Sequence, residues 1–228
     1  IAAKLSADEA MMAAYQSGDP YLEFAKQAGS VPPDATKASH GQIREGFKQC
    51  ALGVLYGMGP NSLGNRVGGY SKAEGLLQLH RRTYPRFWEW SENILNYSYQ
   101  RLALSTVFGW NLRVTVETKS ETLRNFLMQA NGAEMMRLAC CFTLQEGVKL
   151  LMPVHDALLI EAPLDKLDEA ISITQKAMRK ASSIVLNGFE LDSDVKVIRY
   201  PDRYIDPRGE EMWNLVNRIV RELKEKRQ

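Results

Sequence analysis

Apolar and polar positions alternate along this chain mainly with a helical period, broken by short glycine- and proline-rich stretches. Ser6-Ala7-Asp8-Glu9 has the spacing of a capping box, so a first helix is expected from Ser6 to about Gln16, ended by Gly18-Asp19-Pro20. Tyr21 to Ala28 reads as a second short helix, and Gly29 to Asp34 as a loop, because Pro32 and Pro33 fix φ and remove backbone donors. Ser39-x-x-Gln42 opens a long helix to about Tyr56. Glycines at 57, 59, 64, 68 and 69 make the next stretch irregular, with a short helix over Asn61 to Val67.

Ser71-x-x-Glu74 caps another helix, and Tyr84-Pro85 starts one that runs to about Leu102. Ser105 to Val116, centred on Gly109, has the pattern of a hairpin. A helix from Ser120 to about Gln145 leads to two apolar runs, Leu150 to Ala162, that read as a β-hairpin around Pro153 and His155-Asp156. Asp165 to about Leu186 is helical again, and Leu191 to Arg199 alternates as a strand. Met212, Leu215, Ile219 and Leu223 mark a last amphipathic helix. The expected class is α+β, rich in helix and without internal repeats.

Composition narrows the reading only a little. With 45% hydrophobic and 25% charged residues among 228, the chain can bury a core. It has no apolar run of the about 18 residues that a membrane span needs, and its first residues lack the order of a secretory signal, so a cytoplasmic protein without a membrane partner is expected. Cys50, Cys140 and Cys141 show no C-x-x-C spacing, which fits reduced thiols better than disulfides or zinc. A net charge of +2 leaves the partner open.

Three groups of residues carry candidate chemistry. Arg44, Lys48, Leu52 and Tyr56 recur every four residues and form one slanting stripe on a helix, two cations followed by two apolar or aromatic groups. A nucleoside triphosphate divides in the same way: its phosphates need charged donors, its sugar and base flat apolar surface. Gly53, Gly57 and Gly59 would let a base or backbone approach. The same spacing also fits an ordinary amphipathic helix with solvated cations.

Val154-His155-Asp156 falls at the apex of the second hairpin, where a carboxylate is held by strands yet open to a metal ion; a plain turn aspartate is the alternative. Asn125, Gln129 and Asn131 lie near the start of the helix from Ser120, and the first two share a face. Amide donors there suit the acceptors that every base pair presents in the minor groove. Surface amides or a helix cap would look the same.

Taken in order, Arg44 to Lys48 with Leu55-Tyr56-Gly57-Met58-Gly59, then Arg124 to Gly132, then Val154-His155-Asp156, resemble the motifs of family-A DNA polymerases. The resemblance covers nearly the whole chain, includes Gly18-Asp19-Pro20 ahead of the fingers, and weakens beyond Leu191. It implies helices linking palm to fingers over 1–29, a fingers subdomain over 30–103, and a palm portion with catalytic hairpin and C-terminal helix over 104–228. It also implies template-directed DNA synthesis, with primer–template DNA and deoxynucleoside triphosphates as partners and Mg2+ at a two-metal site.

By that resemblance Arg44 contacts the outgoing phosphates, Lys48 neutralises the reacting triphosphate, Leu52 lines the nucleotide site and Tyr56 stacks at the templating position. Asp156 binds the catalytic magnesium ions, His155 the primer end, and Asn125 with Gln129 the minor groove. Leu52 departs from the family's usual Phe or Tyr, Tyr21 from a common His, and Ala157 from a common Glu.

The family's first metal-binding motif, an Asp in an Asp-Tyr-Ser-like strand, is expected just before Ile1. The chain is therefore expected to be a fragment or split half, inactive alone and completed by a missing N-terminal polymerase portion. A non-catalytic nucleic-acid-binding protein of polymerase architecture is the alternative.

Overall fold

The computed structural model describes residues 1–225, which form ten α-helices, two short 3-10 turns and four strands. Helices α1 (Ala2–Leu5), α2 (Glu9–Gln16) and α3 (Pro20–Gln27) precede α4 (Lys37–Leu55), α5 (Pro60–Val67), α6 (Tyr70–Thr83) and α7 (Pro85–Arg101). The hairpin of β1 (Ala103–Ser105) and β2 (Asn111–Arg113) leads to α8 (Ser120–Gln145). A second antiparallel hairpin, β3 (Lys149–Val154) and β4 (Ala157–Glu161), leads to α9 (Leu167–Val185) and finally α10 (Glu210–Glu225). The expected class, α+β and helix-rich, is the observed one. No described helix is long and apolar enough to cross a membrane.

The main core gathers Phe24, Phe47, Val54, Leu63, Leu76 and Phe87 from α3 to α7, with Met128 entering from α8. Phe24 is its centre, with ring centroids 4.6 Å from Phe47 and 5.1 Å from both His80 and Tyr84. His80 is buried there and accepts a hydrogen bond from Trp88 Nε1 at 3.0 Å. Burial pushes its imidazole down to about 3, so it stays neutral at neutral pH. A second cluster joins Met135 of α8 to Val185 and Leu186 at the end of α9.

Four local expectations differ from the structure. Ser6 does not cap α2; its hydroxyl donates back to the carbonyls of Ala2 and Ala3, and the cap is Asp8. Asp8 is 2% exposed, and its carboxylate accepts from Met11 N at 3.0 Å and from Phe87 N, in the first turn of α7, at 3.1 Å. One side chain thus satisfies orphan donors of two helices that lie far apart in sequence.

Ser71 lies inside α6, whose N-cap is Gly69 without a side-chain hydrogen bond, because the tight Gly68-Gly69 turn already sets the chain's entry. Ser39 is the third residue of α4 and completes a capping box with Thr36; the helix kinks at His40 immediately afterwards. Residues 191–199 form no strand. A strand needs a hydrogen-bonding neighbour, and among the described residues none pairs with this segment.

Replacing Asp8 by Ala is expected to destabilise the chain by about 2–4 kcal/mol, since two buried backbone donors lose their acceptor together. Asp8→Asn, which keeps one carbonyl oxygen, should cost roughly half as much. Urea unfolding of the three proteins checks both values.

Candidate nucleotide and nucleic-acid site

After its kink at His40, α4 buries Phe47, Cys50 and Val54 and turns the opposite edge outward. Arg44, Lys48 and Leu52 are half-buried on that edge, and Tyr56, the C-cap, is 54% exposed. The stripe expected from the four-residue spacing is therefore continuous and accessible.

Arg44 is held by a partner that sequence spacing did not identify. Its Nε donates to Asp19 Oδ1 at 3.0 Å and Oδ2 at 2.7 Å, and the guanidinium lies 5.3 Å from the Tyr21 ring centroid. Asp19 also caps α3 by accepting from Leu22 N at 3.2 Å. Only Nε is engaged among the described residues, so both Nη groups keep their donors for an anion. Lys48 Nζ lies 3.7 Å from Glu45, one helical turn back, a surface pairing worth about 0–1 kcal/mol that leaves the ammonium available.

Two of the glycines expected to let a base or backbone approach admit other parts of the chain. A Cβ on Gly53 would meet Leu63 Cδ1 at 3.2 Å. Gly57 has φ +71°, and a Cβ there would meet Glu121 Cγ at 2.7 Å, so the end of α4 sits tightly against the start of α8. Their absent side chains permit packing of α4 against its own neighbours.

His155 and Asp156 form the two-residue turn between Val154 and Ala157, fully at the surface. His155 has φ +54°, a left-handed conformation that tight hairpins require and that is uncommon outside glycine. The turn projects the Asp156 carboxylate into solvent. Among the described residues no group of three or more His, Cys, Asp or Glu side chains is placed to hold a metal ion. Asp156 is thus an exposed turn carboxylate that belongs to no such group among the described residues.

On α8, Asn125 is half-buried and Gln129 exposed one turn further along, with neither amide hydrogen-bonded by its side chain among the described residues. Asn131, grouped with them by sequence, does something else. It is buried, accepts from Val107 N at 3.1 Å and donates to Leu127 O at 2.7 Å. One turn on, buried Glu134 accepts from the Thr106 hydroxyl at 2.6 Å, and that oxygen accepts from Trp110 N at 2.9 Å. Asn131 and Glu134 therefore clamp the β1–β2 hairpin onto α8.

The profile of DNA polymerase family A matches residues 1–198. The chain belongs to DNA polymerase family A. Within the family it is 30% identical over 196 residues to the thermostable DNA polymerase I of Thermus thermophilus, covering 79% of this chain and 23% of that protein. To the DNA polymerase I of Deinococcus radiodurans it is 28% identical over 204 residues, covering 78% and 21%. The chain thus spans roughly a quarter of the curated relatives it matches. The POL domain of Pol1 from M. smegmatis, solved in complex with DNA primer-template and dNTP, shares its fold with a TM-score of 0.70 at 19% identity, covering 79% of this chain and 34% of that one.

In this family-A chain, burial alone would raise the Asp19 carboxyl, but the hydrogen bonds from Arg44 and Leu22 outweigh it and hold the group below its ordinary range. The sign follows: a depressed carboxylate stabilises the fold above the unfolded group's titration and loses that stabilisation as pH falls through the folded value. The stability of the parent is therefore expected to drop below about pH 4, and Asp19→Asn to flatten that part of the profile. Unfolding midpoints measured across that range give the comparison.

Proposed function

We propose that this chain supplies the nucleotide-binding fingers and part of the catalytic palm of a DNA-directed DNA polymerase. It would do so with linking helices over 1–29, fingers over 30–103 and a palm portion over 104–228. The observation that carries this reading is the accessible edge of α4. Arg44, anchored through Nε with its Nη donors open, is followed at helical intervals by Lys48, Leu52 and Tyr56. A triphosphate meets the two cations, with its sugar and base against Leu52, while Tyr56 stacks at the templating position. Leu52 offers aliphatic rather than aromatic surface to the sugar.

In the reaction the primer 3′-hydroxyl attacks the α-phosphate of a bound deoxynucleoside triphosphate and pyrophosphate leaves. Arg44 and Lys48 neutralise charge that develops on the outgoing phosphates. Asn125 and Gln129 face the minor groove of newly made pairs, and His155 stands at the primer end. Asp156 would be one ligand for magnesium, which when bound would stabilise charge on the attacking and leaving oxygens, and the remaining carboxylates would come from another polymerase portion.

Two surfaces support a palm completed by another portion. The β3–β4 hairpin leaves Leu151, Met152, Val154 and Leu159 exposed, and the segment 191–199 has no regular structure and no pairing partner among the described residues. A non-catalytic nucleic-acid-binding role is the second reading, favoured by the single carboxylate and by Leu52; the Asp156 substitution below separates the two. A cytoplasmic location belongs to the same proposal.

In the complete polymerase, Lys48→Ala is expected to lower kcat/KM for incoming nucleotide by about 2–4 kcal/mol of transition-state stabilisation, since a charged donor is lost where negative charge develops. Steady-state incorporation kinetics would show it, and an unchanged kcat/KM would leave Lys48 a solvated helix cation.

Asp156→Asn keeps the turn's shape and removes its charge. Polymerisation should fall by orders of magnitude while primer–template affinity and thermal midpoint stay near the parent's, because magnesium strongly prefers anionic oxygen. A folded variant that polymerises normally would overturn the assignment.

A further inference from the structure

Helix α10 takes no part in the site above. It lies beyond the residues matched by the family, none of its residues is buried, and it nevertheless carries a continuous apolar face. Met212, Trp213, Val216, Ile219, Val220 and Leu223 stand 42–69% exposed on it. Six such side chains within 16 residues are far more than an isolated solvated helix requires.

The spacing and the charges together specify an occupant. Trp213, Val216, Val220 and Leu223 recur at intervals of three and four, the a and d positions of two heptads. Met212 and Ile219 then occupy g, and Glu210, Asn217 and Lys224 occupy e. Glu210 and Glu211 lie in its first turn, and Lys224 lies in its last between Glu222 and Glu225.

We propose that α10 pairs antiparallel with α10 of a second copy of this chain. In that arrangement Trp213 packs against the partner's Leu223 and Val216 against the partner's Val220, and the two-fold axis repeats both layers. One flank then sets Glu210 opposite the partner's Lys224 and Asn217 opposite the partner's Asn217; the other sets Ile219 against the partner's Ile219. Every a and d position is filled, and Glu210 and Lys224 each meet an opposite charge, while Leu215, at c, stays outside the seam. A parallel pair brings Glu210 and Glu211 of both copies to the same end, leaves Glu210 without the partner's Lys224, and places Lys224 beside the partner's Ile219.

A helix of 16 residues is about 24 Å long, so two of them bury an area at the low end of the about 1,200–2,000 Å2 typical of stable interfaces. Association is accordingly expected in the micromolar range and dependent on concentration. It does not rest on the catalytic roles assigned to Arg44, Lys48 or Asp156.

Sedimentation of the 228-residue chain from about 1 to about 200 µM tests the proposal, with a monomer–dimer equilibrium expected across that span. Val220→Glu places a charge in two central layers and should abolish the dimer, and because α10 lies outside both cores the variant should keep the parent's unfolding midpoint. Glu210→Lys and Lys224→Glu each create two like-charge contacts and should weaken association by about tenfold, while the double reversal restores it. A chain that stays monomeric throughout, whether because α10 folds onto its own body or binds nothing, overturns the proposal. So does a dimer indifferent to Val220→Glu. Failure of the double reversal to restore association overturns the antiparallel register.

Discussion

The structure depends on one long helix that is packed on several sides. Helix α8 has 26 residues, about 39 Å in length, and its buried positions Leu123, Met128, Asn131, Glu134, Met135 and Thr143 do not lie on one stripe. Met128 closes the core built by α3 to α7, and Met135 closes the core shared with α9. Arg124 reaches Ser91 and Glu92 of α7, and Gly57 packs on Glu121. A helix so enclosed cannot shift along its axis without disturbing two cores and a clamped hairpin, which fixes the position of the face that carries Asn125 and Gln129.

The α4 edge is organised differently. Its position is set by burial of Phe47, Cys50 and Val54, but the direction of its leading cation is set by Asp19, 25 residues earlier. A guanidinium held through Nε has lost part of its rotamer freedom before any ligand arrives, so less entropy remains to be lost on binding an anion. Asp19 is simultaneously a helix cap, which ties the orientation of Arg44 to the start of α3. The half-exposed Lys48 has no comparable anchor; its nearest carboxylate is Glu45 at 3.7 Å.

The β3–β4 hairpin and α10 both expose apolar residues, for separable reasons. The hairpin lies inside the family match and presents Asp156 at its tip, so its uncovered strands belong with the palm reading. Helix α10 lies beyond that match, and its heptad spacing has no counterpart on the hairpin. Exposed apolar area thus occurs in two different settings in one chain.

Local signals determined most of the element pattern. Pro20, Pro60 and Pro85 each stand at the first position of a helix, Gly68 ends α5 in a left-handed conformation, and the four-residue stripe on α4 is where its spacing placed it. These signals act within about one helical turn, the range over which side chains and backbone meet without tertiary contact. What the sequence left open required partners far along the chain. Asp8 rather than Ser6 became the cap because its second oxygen reaches Phe87, 79 residues away. Asp19 became the anchor of Arg44, and Asn131 left the group of free amides because the β1–β2 turn folded onto it. Residues 191–199 keep the alternation of a strand without being one. Alternation records which faces are apolar, whereas a strand exists only when a neighbouring backbone supplies its hydrogen bonds, and that only the tertiary structure decides.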